Sequence, residues 1–128
     1  LIKNPVGFNQ IVQLLSYEKE PFSLGVLLND NPADGQDVSW IWDGDFEGLH
    51  ALNAVDTAIS GIRVEDLGVR MEVAGFENIK VFKTNAELID WIRKAPTKKV
   101  NVLATYTALL DLRKDFAKEG YLKEGMNG

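Results

Sequence analysis

The sequence has 128 residues, 45% of them hydrophobic, and a formal net charge of -5 from 14 basic and 19 acidic side chains. A chain of this length buries roughly two thirds of the surface its unfolded form exposes, enough for one domain without a disulfide or metal staple, and with no cysteine it excludes zinc ribbons, iron–sulfur centres and thiol nucleophiles. The longest uncharged apolar stretches, residues 22–28 and 100–110, fall short of the ~20 residues of a bilayer-spanning helix; no signal peptide or lipidation motif is present, and no basic cluster interleaves with aromatics as nucleic-acid binding requires. The chain opens with Leu1 rather than Met, so a piece cut from a longer protein is expected.

In chain order, Phe8, Ile11, Val12 and Leu15 form an apolar stripe at helical spacing. A first strand is predicted over residues 22–29, where the apolar character is nearly continuous. That pattern suits a strand covered on both faces of a parallel sheet better than a half-exposed one, which would alternate. Residues 45–52 read as a short helix and residues 55–60 as a second strand. Val64, Leu67, Met71 and Ala74 then mark a helix closed by Gly75 as its C-cap. A third strand is predicted over residues 79–83, after which Thr84 and Glu87 have capping-box spacing. The helix they open runs through Leu88, Ile92 and Ala95 and must stop before Pro96. A fourth strand covers residues 100–106, and Leu109, Leu112 and Phe116 mark a last helix ending near Gly120. The tail, residues 119–128 with three glycines, is expected to fray. One helix followed by four strand–helix pairs predicts an open, doubly wound α/β domain with a mainly parallel sheet of about four strands and helices on both faces.

In such sheets functional groups gather at the carboxyl ends of the strands, which directs attention to the loops after Asn29, Ser60, Lys83 and Tyr106. The first, residues 30–45, has 16 residues, where a strand-to-helix loop usually has about two to six. It carries Asp30, Asn31, Asp34, Asp37, Asp43 and Asp45 with Trp40 and Trp42, and no Lys or Arg occurs in residues 21–62. Acids this dense are expected to raise one another's pKa unless a metal, a partner's cation or solvent screens them. A plainer reading stands beside that one: Asp, Asn, Gly and Pro as turn formers, Asp43 or Asp45 as an N-cap, and the tryptophans packed over the sheet edge.

Other chemistries fit the same residues less well. Asp43, Asp45, Glu47 and Gly48 match the opening of a calcium loop, but its twelfth position is Ala54 rather than Glu, and a start at Asp30 puts Pro32 at a ligand position. Neither a Walker A motif nor Gly-x-Gly-x-x-Gly is present, so the chain by itself is not a nucleotide-binding engine of either common type. His50 has no nearby nucleophile and reads as a surface or capping residue. Arg63, at the mouth of the second strand, fits either an anion contact or a helix-end salt bridge. Lys3, Asn4, Asn9 and Gln10, at the entry to the first helix, fit either capping or ligand contact.

The stretch LIKNPVGFNQ, the loop LLNDNPADGQDVSWIWDGDFE, the turn SGIRVEDLGVRMEVAG and the ending VLATYTALLDLRK together resemble the C-terminal domain of the MurT family, relatives of the Mur ligases. The likeness spans essentially the whole chain, with the four motifs in the family's order. It implies a single Mur-ligase-type, Rossmann-like C-terminal domain over residues 1–128, part of a longer chain in a cytoplasmic complex at the inner face of the membrane. In that complex the MurT subunit would use ATP and magnesium to activate the D-glutamate carboxylate of lipid II as an acyl phosphate. A GatD-type glutamine amidotransferase would hydrolyse glutamine and deliver ammonia, giving D-isoglutamine. The family's nucleotide loop, and in many members a cysteine zinc ribbon, belong to a central domain, so this chain is expected to hold part of the active site and to be an inactive monomer alone.

The same resemblance implies that an aspartate of this domain completes a glutaminase triad whose cysteine and histidine sit on the partner. Within DNPADGQDVSW, Asp37 is placed first and Asp34 second, as members of the ADGQD core, with Asp30 behind them as a turn former. Trp40 and Trp42 are expected to anchor the loop. Lys3, Asn4, Asn9, Arg63 and Thr107, with the strand end at Thr105, are expected to face the ATP or acceptor cleft. Two readings from other classes stay open: a module whose acidic loop binds a basic partner or cation, and a scaffold domain whose loop merely packs.

Overall fold

The computed structural model describes residues 1–120; from residue 121 on, the expectation for the tail lies outside the described residues. The backbone runs through α1 (Pro5–Ser16), β1 (Phe22–Leu27), two 3₁₀ turns (Pro32–Asp34 and Ser39–Trp42), α2 (Phe46–Ala51), β2 (Thr57–Ser60), α3 (Val64–Ala74), β3 (Lys80–Val81), α4 (Asn85–Arg93), β4 (Lys99–Ala104) and α5 (Tyr106–Lys118). The strands form one all-parallel sheet in the order β3-β2-β1-β4. Leu27, at the end of β1, lies beside Ser60 of β2 on one side and Ala104 of β4 on the other.

Local signals set the helix ends. Asn4 accepts the Gly7 N–H at 2.8 Å and Pro5 occupies the first turn, so α1 starts where an orphan donor is satisfied and a missing N–H costs nothing. Thr84 caps α4 by accepting the Glu87 N–H at 3.2 Å. Gly75, at φ 110°, ends α3 in the left-handed conformation, as its glycine predicts.

Strand alternation then divides the core. Phe22, Leu24, Val26 and Leu28 join Phe8 and Val12 of α1, Phe46 and Leu49 of α2, and Leu67 and Met71 of α3 in one cluster. Leu27, Ala58 and Ala104 join Leu88, Ile89 and Trp91 of α4 and Ala108 and Leu112 of α5 in a second. Helices therefore cover both faces of the sheet, and the doubly wound prediction holds. Among the described residues no helix is long and apolar enough to cross a membrane.

Strand lengths depart from the prediction at the edges. The third strand, expected over five residues and buried, is two residues long, and both Lys80 and Val81 are exposed. It has β2 on one side alone, and its apolar neighbours Ile79 and Phe82 are drawn partly inward by packing rather than by a second strand. The fourth strand ends at Ala104 rather than Tyr106, because Tyr106 already opens α5. Between β1 and β4 the strand order reverses, and the crevice at their carboxyl ends is the topological switch point where ligands of such folds gather.

Candidate functional site

At that switch point the chain builds a knot of polar groups. Thr105, the residue before α5, accepts the Asn29 N–H on its hydroxyl at 2.9 Å and makes no capping bond to its own helix. Asp34, only 3% exposed, supplies the missing cap from 73 residues away: Oδ1 accepts the Thr107 N–H at 2.7 Å. Its Oδ2 accepts the Thr107 hydroxyl at 2.5 Å and the Asn31 N–H at 3.0 Å. The Thr107 hydroxyl in turn accepts the side-chain amides of Asn29 and Asn31, each at 3.0 Å, which fills its hydrogen-bonding capacity. A carboxylate at the amino end of a 13-residue helix is favoured by the helix dipole. Where a doubly wound domain often seats a ligand's phosphate, this chain seats Asp34.

Beside the knot, Asn29, Ser60, Gly61, Lys83 and Asp111 line a cleft of about 290 Å³. Gly61 is needed there: its φ is +110°, and a Cβ would come within 2.4 Å of the Leu28 carbonyl oxygen.

The other end of the long connection is held from α3. Arg70 donates from Nε to the Ile41 carbonyl at 2.7 Å and from Nη2 to the Gly44 carbonyl at 3.0 Å. Its two terminal nitrogens fork onto Glu47 at 2.8 and 2.7 Å. Between the knot and this clamp lies Asp37, exposed, with Oδ1 accepting the Ser39 N–H at 2.9 Å. That bond holds the Asp37 carboxyl below its ordinary pKa.

For Asp37 the expected rise is therefore corrected. The segment has no cation in sequence, but Arg63, just before α3, and Arg70, within it, reach it in space. Glu47 is lowered from 4.5 to about 2, chiefly by its hydrogen bonds with Arg70. Arg63 donates to Asp66 at 2.7 Å and to Asp30 at 3.0 Å, and these bonds raise its own pKa. Of the two readings of Arg63, the structure realises the salt bridge.

The remaining sequence candidates serve mostly local structure. Asn4 caps α1, and Asn9 accepts the Asp45 N–H at 2.8 Å, so both serve helix entries. Lys3 is exposed. Asp45 caps α2 through the Gly48 N–H at 2.9 Å, which confirms the N-cap reading and takes that oxygen from any calcium loop. His50 ends α2 with its ring edge-on to Phe76 at 5.1 Å. Trp40 packs on Phe8 at 5.9 Å and anchors the loop, whereas Trp42 is 51% exposed and lies 5.3 Å from the Arg70 guanidinium. Arg63 and Thr107 both bond the exit of β1, Arg63 at Asp30 and Thr107 at Asn29 and Asn31, and Ile2, beside Lys3, donates its N–H to the Ala104 carbonyl; the Thr107 hydroxyl has no hydrogen-bonding capacity left. Among the described residues no three His, Asp or Glu side chains are grouped to hold a metal ion. Asn4, Asn9, Arg63 and Thr107 are each engaged by the chain's own bonds, so they offer no ready set of free groups for ATP and magnesium.

Sequence reading missed Asn29 and Arg70. Asn29 sits at the end of an apolar run, yet it is buried and bonds Thr105, Thr107 and, through Oδ1, the Ile62 N–H at 2.8 Å. Arg70 lies three residues after Leu67 and four before Ala74, within the apolar stripe of α3. A charge inside a buried stripe is a signal in itself, since such groups are rarely buried unless paired.

Fold and site together define a doubly wound α/β domain whose switch point is closed by its own carboxylate and whose long first connection presents a second carboxylate to solvent. Residues 1–109 match the family model described as MurT ligase C-terminal. The chain is 38% identical, over 99% of its length, to the lipid II isoglutaminyl synthase (glutamine-hydrolyzing) subunit MurT of Streptococcus pneumoniae. It is 33% identical, over 71% of its length, to the subunits of the same description from two strains of Staphylococcus aureus. The chain belongs to the MurT ligase C-terminal family. It spans 29% of the length of the Streptococcus relative and 22% of each Staphylococcus relative.

Proposed function

We propose that this chain is the C-terminal domain of a MurT-type subunit in an ATP-dependent, glutamine-hydrolysing ligase that amidates the D-glutamate of lipid II on the cytoplasmic side of the membrane. In this reading it docks a GatD-type amidotransferase and lends that partner the carboxylate of Asp37. ATP, magnesium and the glutamyl acceptor are assigned to the rest of the subunit, and the isolated chain hydrolyses neither ATP nor glutamine.

The observation that carries the reading is the contrast between two acids three residues apart. Asp34 is buried with both oxygens engaged by its own chain, whereas Asp37 is exposed with one oxygen held by Ser39. A histidine that takes the proton of a catalytic thiol becomes cationic. A carboxylate accepting its other N–H fixes the tautomer and stabilises that charge. Asp37 meets the requirement: its Oδ1 accepts the Ser39 N–H, its lowered pKa keeps it charged, and its side chain is exposed where a partner can reach it. Because histidine and carboxylate sit on different chains, glutamine is spent only in the assembled complex.

Asp37→Asn in the assembled complex should lower glutaminase turnover by at least about a hundredfold, while co-elution of the subunits on size exclusion is unchanged. Wild-type turnover in that variant would reject the assignment.

A further inference from the structure

Arg70 is 4% exposed, and its partners account for four donated hydrogen bonds: Ile41 O, Gly44 O, and both oxygens of Glu47. The rings of Trp42 and Phe46 lie 5.3 and 5.0 Å from its guanidinium carbon. The Ile41 and Gly44 carbonyls belong to a stretch with no strand beside it, so a side chain from α3 supplies the donors that a sheet supplies elsewhere. The turn Ser39–Trp42 adds short-range bonds of its own: Ile41 N–H to Val38 O, and the Asp43 and Gly44 N–H groups both to Trp40 O. The first amide of that turn, Ser39 N–H, is the donor that holds Asp37.

We propose that Arg70 is a positioning residue for Asp37: its planar fork fixes the 3₁₀ turn at residues 39–42, and the first amide of that turn aims the carboxylate. The inference rests on the proposed role of Asp37. The hydrogen bonds of Arg70 go to Ile41, Gly44 and Glu47 and not to Asp37. The demand is for a guanidinium rather than for charge. A lysine ammonium reaches from a single point and cannot span two carbonyls and a bidentate carboxylate at once.

Arg70→Lys is the test, read in two ways. In the chain itself, hydrogen exchange at the Ile41, Asp43 and Gly44 amides should speed up by about tenfold or more, while amides of β1 and β4 keep their protection. In the assembled complex, glutaminase kcat should fall about tenfold with KM for glutamine within about twofold, because the loss is one of orientation and not of binding. Ile89→Val, which thins the core on the opposite face of the sheet, is the control and should leave kcat per assembled complex unchanged. A kcat for Arg70→Lys within about twofold of wild type, or an equal loss in Ile89→Val, would overturn the inference. The two readings fail separately. Normal turnover in Asp37→Asn removes the role of Asp37 and the positioning with it, whereas a disabled Asp37→Asn beside an unaffected Arg70→Lys removes the positioning alone.

Discussion

The connection leaving β1 and the connection leaving β3 both rise from carboxyl ends of parallel strands and both deliver the chain to a helix, yet different forces hold them. After β3, two residues lead to Thr84, and the cap that follows is made with Glu87, three residues on. After β1, residues 30–45 are held by Thr107, 73 residues from Asp34, and by Arg70, 29 residues from Ile41 and 26 from Gly44. A local cap forms as soon as its own segment does. A connection pinned by distant groups has a shape only when the rest of the domain is in place, and in exchange it can hold a polar tip in one orientation without burying it.

The sharpest way to break this contrast is to remove the distant pin. Asp34→Ala strips α5 of its cap and leaves the Thr107 and Asn31 N–H groups without their acceptor, and should cost about 2–4 kcal/mol in urea unfolding. Thr84→Ala, at the local connection, should cost about 1 kcal/mol by the same measurement. If the two losses were equal, the distinction between the connections would fail.

Acid titration sharpens it further. The folded pKa of Glu47 lies below its unfolded value, so its contribution is complete above about pH 4.5 and is lost as pH falls toward about 2. Glu47→Gln should therefore melt below wild type at neutral pH, and the gap should close across that window. The gap should be small and should narrow with added salt, because Glu47 is 57% exposed. The smallest stability effect belongs to Asp37→Asn: its side chain is exposed, and the thermal midpoint should match wild type in the same variant whose glutaminase turnover is expected to fall.

The framework was legible because its signals are short-range. The stripe of α3, its Gly75 cap and the Thr84–Glu87 spacing lie within a few residues of one another, and each falls where predicted. The third strand was overread because Ile79 and Phe82 owe their apolar character to packing beside a sheet edge, which a run of residues does not distinguish from pairing. Asp34 and Asp37 could not be told apart in sequence, since the residue that separates them, Thr107, lies in the last helix. The absence of cations over residues 21–62 misled for the same reason: Arg63 and Arg70 stand just beyond that stretch and fold back onto it.

The bond from Asp34 to α5 also orders events in time. Ribosomal synthesis yields the segment bearing Asp37 early, but Thr107 follows 73 residues after Asp34, more than half the chain later, so the leading end of that segment has no anchor until Thr107 has emerged. A nascent chain arrested before Thr107 would carry the whole acidic motif without the group that holds Asp34.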